Sequence, residues 1–109
     1  MSDVAVRTPA APVPKIETIF DRMVVVEPPY NVIIHNDDVT PMDFVVDILT
    51  SIFELDGDTA TDVMLAAHIE GNAYVAAYPK LEAETRINKA HFAARLEGYP
   101  LRFTAEPDA

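Results

Sequence analysis

The segment Asn36-Asp37-Asp38 places two carboxylates side by side in a region without opposing charge. No Lys or Arg occurs between Met23 and Pro79, whereas ten Asp and Glu residues fall there. Adjacent carboxylates repel each other unless a cation or several N–H groups stabilise them. The segment therefore favours a site for a cationic ligand. Asn and Asp are also ordinary turn formers, and an acidic surface also aids solubility, so those two readings stay open.

His68 is the second residue that could do chemistry. Helical spacing places it on the same face as Met64, beside Ala67 and shortly before Gly71. A single His on a mostly apolar helix face is more often a packed core residue than a ligand-binding one. A role in binding and a role in packing are therefore both compatible with the sequence.

Enzymatic chemistry is not expected. A hydrolase requires an activated nucleophile beside a base, and the only hydroxyl near the acids is that of Thr40, which is interpreted as a helix cap. A metal site built from Asp37, Asp38 and His68 is conceivable, but His35 and His91 add no recognisable ligand spacing. Glycine-rich phosphate loops are absent from the sequence, which has three glycines. We therefore expect no catalytic residue, metal or cofactor.

Composition narrows the classes of partner. The chain has 109 residues, which is room for one domain, and its net charge of -10 argues against nucleic acid. No stretch is apolar for the roughly 18 residues that a membrane span needs, and no signal peptide is recognised at the start. Cysteine is absent, which fits a reducing compartment. We therefore expect a cytoplasmic protein that binds neither nucleic acid nor membrane.

The chain divides into a proline-broken arm and a compact domain. Residues 1–27 contain Pro9, Pro12 and Pro14 and are interpreted as a flexible N-terminal arm, leaving 28–109 as the core domain. The core predicts the order β-α-α-β-α-β: strands at 30–35, 72–78 and 101–106, and helices that start near Thr40-Pro41, near Asp58 or Thr59, and at Pro79. Gly71 and Gly98 are expected to end the second and third helices. The fold class is α+β, a small sheet covered on one face by three helices.

Several separated motifs resemble the ClpS adaptor family. Pro28 to Val46, PPYNVIIHNDDVTPMDFVV, contains the Asn-Asp-Asp, one residue, Thr-Pro-Met signature of that family. The segments Met64 to Gly71 (MLAAHIEG), Ala83-Glu84-Thr85 and Pro100-Leu101 also match it, in the same order and at similar spacing. The resemblance covers roughly residues 28–107. It implies a three-stranded antiparallel sheet with three helices, like the C-terminal domain of the ribosomal stalk protein.

The same resemblance implies a function and assigns roles by position. ClpS adaptors bind N-degron substrates that begin with Phe, Tyr, Trp or Leu, and deliver them to a ClpA- or ClpC-type AAA+ unfoldase that feeds the ClpP peptidase. Asn36, Asp37 and His68, supported by Asp38, would hold the substrate's α-amino group. The side-chain pocket would be lined by Ile34, Thr40, Met42, Val45, Met64, Ala67 and Leu101.

This chain departs from the family pattern at a few positions. Ala67 is smaller than the Val common there, and His35 replaces an aliphatic residue. Glu82 and Arg86 are candidates for unfoldase docking, because Arg86 matches a basic docking position, but Leu81 stands where an acid is common. The alternative from another class is a non-catalytic assembly module like the ribosomal stalk domain. In that case Asn36-Asp37-Asp38 would be only a turn.

Overall fold

The computed structural model describes residues 28–108, and the predicted arm lies outside them. The element order is the predicted β-α-α-β-α-β. The strands are β1, β2 and β3 and the helices α1, α2 and α3, with these bounds: β1 Tyr30–His35, α1 Met42–Ser51, α2 Gly57–Glu70, β2 Asn72–Tyr78, α3 Lys80–Glu97 and β3 Arg102–Pro107.

The three strands form one antiparallel sheet in the order β2-β1-β3. Ile34 in the central strand stands opposite Ala73 of β2 and Phe103 of β3. Val32 and Ile34 are buried while Ile33 between them is only half-buried, as the two-residue period of a strand requires when one face is covered. The predicted antiparallel sheet, covered by helices, is confirmed.

The start of α1 differs from the prediction. Thr40 is not the N-cap; Pro41 holds that position with an extended backbone, and its carbonyl accepts the N–H of Val45 at 3.1 Å. The reason is a competing acceptor, because the hydroxyl of Thr40 donates to the carboxylate of Asp37 at 2.9 Å. The Thr40 side chain therefore stabilises the preceding loop instead of the helix.

The N-cap of α2 was also predicted two or three residues too late. Neither Asp58 nor Thr59 caps the helix, because Asp56 does so by accepting the N–H of Thr59 at 2.8 Å. Gly57 is the first helical residue. A glycine there costs little because the N–H groups of a first turn have no partner within the helix.

The helix ends agree with the prediction. Gly71 and Gly98 follow α2 and α3 with φ of 93° and 79°. An alanine-rich stripe of α3 is buried, and these small side chains let the helix lie close to the sheet. Its members are Ala83, Ile87, Ala90 and Ala94.

The cost of the left-handed backbone at Gly71 can be measured by comparing alanine substitutions at Gly71 and at Gly57. Gly71→Ala should lower the free energy of unfolding by about 1–2 kcal/mol, because an L-residue is disfavoured at that φ. Space is not the cause, since no atom lies within 4 Å of the added Cβ. Gly57→Ala, equally open but without a positive φ, should be neutral or stabilising. Urea denaturation of both variants measures the difference, and equal stabilities would contradict this account.

Candidate functional site

The loop between β1 and α1 is organised by the carboxylate of Asp37. Its Oδ1 accepts the N–H groups of Val39 at 2.8 Å and Thr40 at 2.7 Å. Its Oδ2 accepts the hydroxyl of Thr40 at 2.9 Å. The N–H of Asn36 donates to the carbonyl of Gly71 at 2.9 Å, which joins this loop to the end of α2. The segment Asn36-Asp37-Asp38 is thus part of a turn whose conformation is held by hydrogen bonds to the Asp37 carboxylate.

These bonds keep Asp37 ionised. Burial alone would raise the pKa of Asp37, but the N–H groups of Thr40 and Val39 and the Thr40 hydroxyl together bring that pKa below its ordinary value. A carboxylate has about four lone-pair sites, and three are filled here. One acceptor site therefore remains on Oδ2 for a donor that comes from outside the loop.

A cavity of about 180 Å³ opens beside this loop. One side of it is polar and combines a carboxylate-rich loop with an imidazole from the last turn of α2. The polar residues that line it are His35, Asn36, Asp37, Asp38, Thr40 and His68. His68 is exposed rather than packed in the core, so its ring is accessible from the cavity mouth.

The other side of the cavity is apolar and is assembled from four parts of the fold. Its residues come from β1, α1, α2 and the connection before β3: Ile34, Met42, Val45, Met64, Ala67 and Leu101. Ala67 and Leu101 are 3% and 5% exposed and form the floor, whereas Met42, 46% exposed, lies at the rim. All eleven residues predicted for the amine site and the side-chain pocket thus surround one cavity. Their individual roles in binding remain predictions.

His35 is the residue of the cavity lining to which the sequence assigned no role. Its Nε2 is 2.8 Å from the hydroxyl of Thr104, which joins β1 to β3. Burial lowers the pKa of His35, and the positive charge of Arg102 lowers it further. Its position next to Asn36, in place of a common aliphatic residue, was the signal available in the sequence.

Glu82 and Arg86 lie away from this cavity and pair with each other. Arg86 Nη2 and Nε donate to Glu82 Oε2 at 2.7 and 3.0 Å, and these bonds raise the pKa of Arg86. Arg86 also donates to the carbonyl of Ile52 at the end of α1 and stacks 4.8 Å from the centre of the Tyr78 ring. Only 19% of its side chain is exposed. Arg86 therefore has a structural role, the capping of α1, that the sequence did not reveal.

Neither a metal cluster nor a membrane helix is found in the described part of the chain. Within residues 28–108, no three His, Cys, Asp or Glu side chains are grouped so that they could hold a metal ion. Over the same residues, no helix has both the length and the apolarity to cross a membrane.

The bonded state of Asp37 can be tested by removing one donor. Thr40→Val keeps the side-chain shape but deletes the hydroxyl, so the pKa of Asp37 should rise toward its ordinary value. A folded-state pKa below the unfolded one stabilises the fold at higher pH, so the variant should also lose less stability as the pH falls through that range. Carboxyl-carbon NMR titration measures the pKa. Thr61→Val is the control, because the Thr61 hydroxyl donates to a backbone carbonyl; an Asp37 pKa unchanged by Thr40→Val would contradict the assignment.

Comparison with known proteins agrees with this geometry. Residues 26–104 match the family model described as ATP-dependent Clp protease adaptor protein ClpS. The ClpS adapter of Vibrio atlanticus is 46% identical over 83 residues, 74% of this chain and 78% of that protein. ClpS 1 of Rhodopseudomonas palustris is 47% identical over 79 residues, 72% and 77% of the two chains.

A solved structure shows the same fold with a ligand. Agrobacterium tumefaciens ClpS2 bound to L-phenylalaninamide superimposes with a TM-score of 0.72 at 38% identity, covering 75% of this chain and 99% of that one. The sheet order, the helices and the sequence motifs all point the same way. The chain belongs to the ClpS family of adaptor proteins of the ATP-dependent Clp protease.

Proposed function

We propose that this protein binds the N-terminal residue of N-degron substrates, with a preference for Phe, Tyr, Trp and Leu, and delivers them to a ClpA- or ClpC-type unfoldase for degradation by ClpP. The observation that carries the proposal is the cavity itself, in which an ionised carboxylate and acceptor groups adjoin an apolar floor. An amino acid amide such as the one bound by the Agrobacterium relative has both matching parts, an amine and a side chain.

The polar side of the cavity suits a free α-amino group. An ammonium has three donors, and the Asn36 amide oxygen, an imidazole nitrogen of His68 and the remaining acceptor site of Asp37 can accept them. Charge-assisted hydrogen bonds are roughly twice as strong as neutral ones. Asp38, on the same rim, adds negative charge to the field that an incoming ammonium meets. This side of the cavity distinguishes a chain end from an internal residue.

The apolar side of the cavity suits the side chain of the first residue. Its floor is well buried and its rim is formed by a flexible methionine, Met42, which adapts to ligands of different shape. Apolar pockets distinguish side chains by only about 1–3 kcal/mol per methylene. We therefore expect several large apolar residues to be accepted rather than one.

Delivery to an unfoldase requires a second surface that stays free while the substrate is bound. A second cavity of about 230 Å³, lined by Ser51, Ile52, Glu82 and Arg86 among others, lies at the C-terminal end of α1. The substrate cavity uses Met42 and Val45 at the N-terminal end of the same helix. The two sites are thus roughly 9–15 Å apart along the helix axis, from a rise of about 1.5 Å per residue. We propose the Glu82–Arg86 pair as part of the docking surface.

The role of the amine is tested with a pair of peptides on unmodified protein. A Phe-initiated peptide should bind, and its N-acetylated twin should bind about 30-fold to several thousandfold more weakly, the equivalent of the about 2–5 kcal/mol lost when one partner of a hydrogen-bonded charge pair is removed. Calorimetry measures both affinities. Asp37→Ala should reduce the difference, whereas Asp62→Ala, on the exposed face of α2, should preserve it.

Two other outcomes of this experiment would contradict the proposal. Equal affinity for the free and the acetylated peptide would contradict recognition of the amine. No binding of either peptide would favour an assembly module like the ribosomal stalk domain, in which the acidic segment is only a turn.

The small side chain at Ala67 predicts a specificity that favours large aromatic residues. Ala67 is 3% exposed on the cavity floor, so Ala67→Val adds two methyl groups where space is limited. Overpacking of this kind costs about 1–3 kcal/mol. The affinity for a Trp-initiated peptide should therefore fall more than that for a Leu-initiated peptide. An unchanged ranking of Trp-, Phe- and Leu-initiated peptides would refute the role of Ala67.

A further inference from the structure

His91, in the middle of α3, accepts a hydrogen bond from a strand backbone. The N–H of Phe103 donates to His91 Nε2 at 3.0 Å. Since Nε2 is the acceptor, a neutral ring carries its proton on Nδ1. This bond exists only while the imidazole is neutral, because a protonated ring has no free lone pair. The sequence singled out His91 only to dismiss it as a metal ligand.

The bond supplies an acceptor for a backbone N–H of an edge strand. β3 is at the edge of the sheet, and Phe103 faces Ile34 of β1 in the register while its N–H donates to α3 instead. An unpaired N–H at a sheet edge would bond water or another chain. His91 therefore fastens the beginning of β3 to α3, at a point where the sheet itself supplies no partner.

The fastened point is two residues from the floor of the substrate cavity. Leu101, 5% exposed, lines that cavity in the short connection between α3 and β3. At the other end of the connection, the ring of Tyr99 packs edge-to-face against the ring of Phe44 of α1, with 4.9 Å between the ring centroids. Leu101 thus lies between two residues that are anchored to other elements, Tyr99 by its contact with Phe44 and Phe103 by its bond to His91.

We propose that His91 is a positioning residue of the cavity, which through Phe103 holds Leu101 against the side chain of the bound N-terminal residue, and which releases it when the imidazole gains a proton. This inference rests on the proposed function, because the ligand it affects is the N-degron peptide. It differs from any effect at the amine side of the cavity, since it acts on the apolar side.

The surroundings of His91 set the direction of the pH dependence. Burial is the largest cause that lowers the pKa of His91, followed by the charges of Arg95 in α3 and Arg102 in β3. As the pH falls, His91 is therefore protonated in the unfolded chain before it is protonated in the folded one. The bond contributes its full stabilisation above the ordinary histidine pKa of about 6.5, and loses it as the pH falls through the lower folded-state value.

Three forms of the full chain test the proposal. His91→Gln keeps an acceptor near the position of Nε2 without a titrating group, and His91→Leu keeps bulk without an acceptor. At pH 7 we expect wild type and His91→Gln to bind a Phe-initiated peptide equally and to protect the Phe103 amide from hydrogen exchange. His91→Leu should bind about five-fold more weakly, the usual net effect of one hydrogen bond, and its Phe103 amide should exchange faster.

The pH profile separates positioning from general stability. In wild type, Phe103 exchange, corrected for intrinsic rate, should increase as the pH falls from 7 to 5, and in His91→Gln it should not. Failure of His91→Gln to retain protection and affinity, or wild-type protection in His91→Leu, would overturn the proposal. If wild type itself binds no peptide, the proposed function fails, whereas the Phe103 profile still decides whether His91 holds β3.

Discussion

The site depends on one carboxylate that is bonded to its own loop. Asp37 accepts two backbone N–H groups and one hydroxyl, and these bonds fix the path of the chain between β1 and α1. They also keep the group ionised, so the charge is present before any ligand arrives. A charge that is already held by its neighbours needs little reorganisation when an ammonium binds, which is how preorganisation improves affinity.

The rest of the fold places an apolar floor beside that charge. Residues far apart in the chain meet there, Ile34 from the central strand, Ala67 from α2 and Leu101 from the connection before β3. The sheet order puts β1 between β2 and β3, so the end of β1 is flanked by the parts of the chain that carry the floor. A two-part cavity of this kind separates two tasks, because charge selects chain ends and shape selects among side chains.

Much of this could be predicted from the sequence, and the exceptions have physical reasons. Local patterns located the strands and helices, and Gly71 and Gly98 marked two helix ends, because each of these signals lies within its own short segment of the chain. The cap at Thr40 was wrong because Asp37, three residues earlier, competes for the same hydroxyl. The bonds of His91 to Phe103 and of Arg86 to Ile52 join distant elements, so no local pattern could reveal them.

The most direct measurement is a crystal structure of this protein with phenylalaninamide. The account predicts the amine nitrogen within hydrogen-bonding distance, about 2.7–3.2 Å, of Asn36, Asp37 and His68, with the ring against Ala67 and Leu101. The reverse orientation, with the amine in solvent and the acidic loop making no contact with the ligand, would contradict the account.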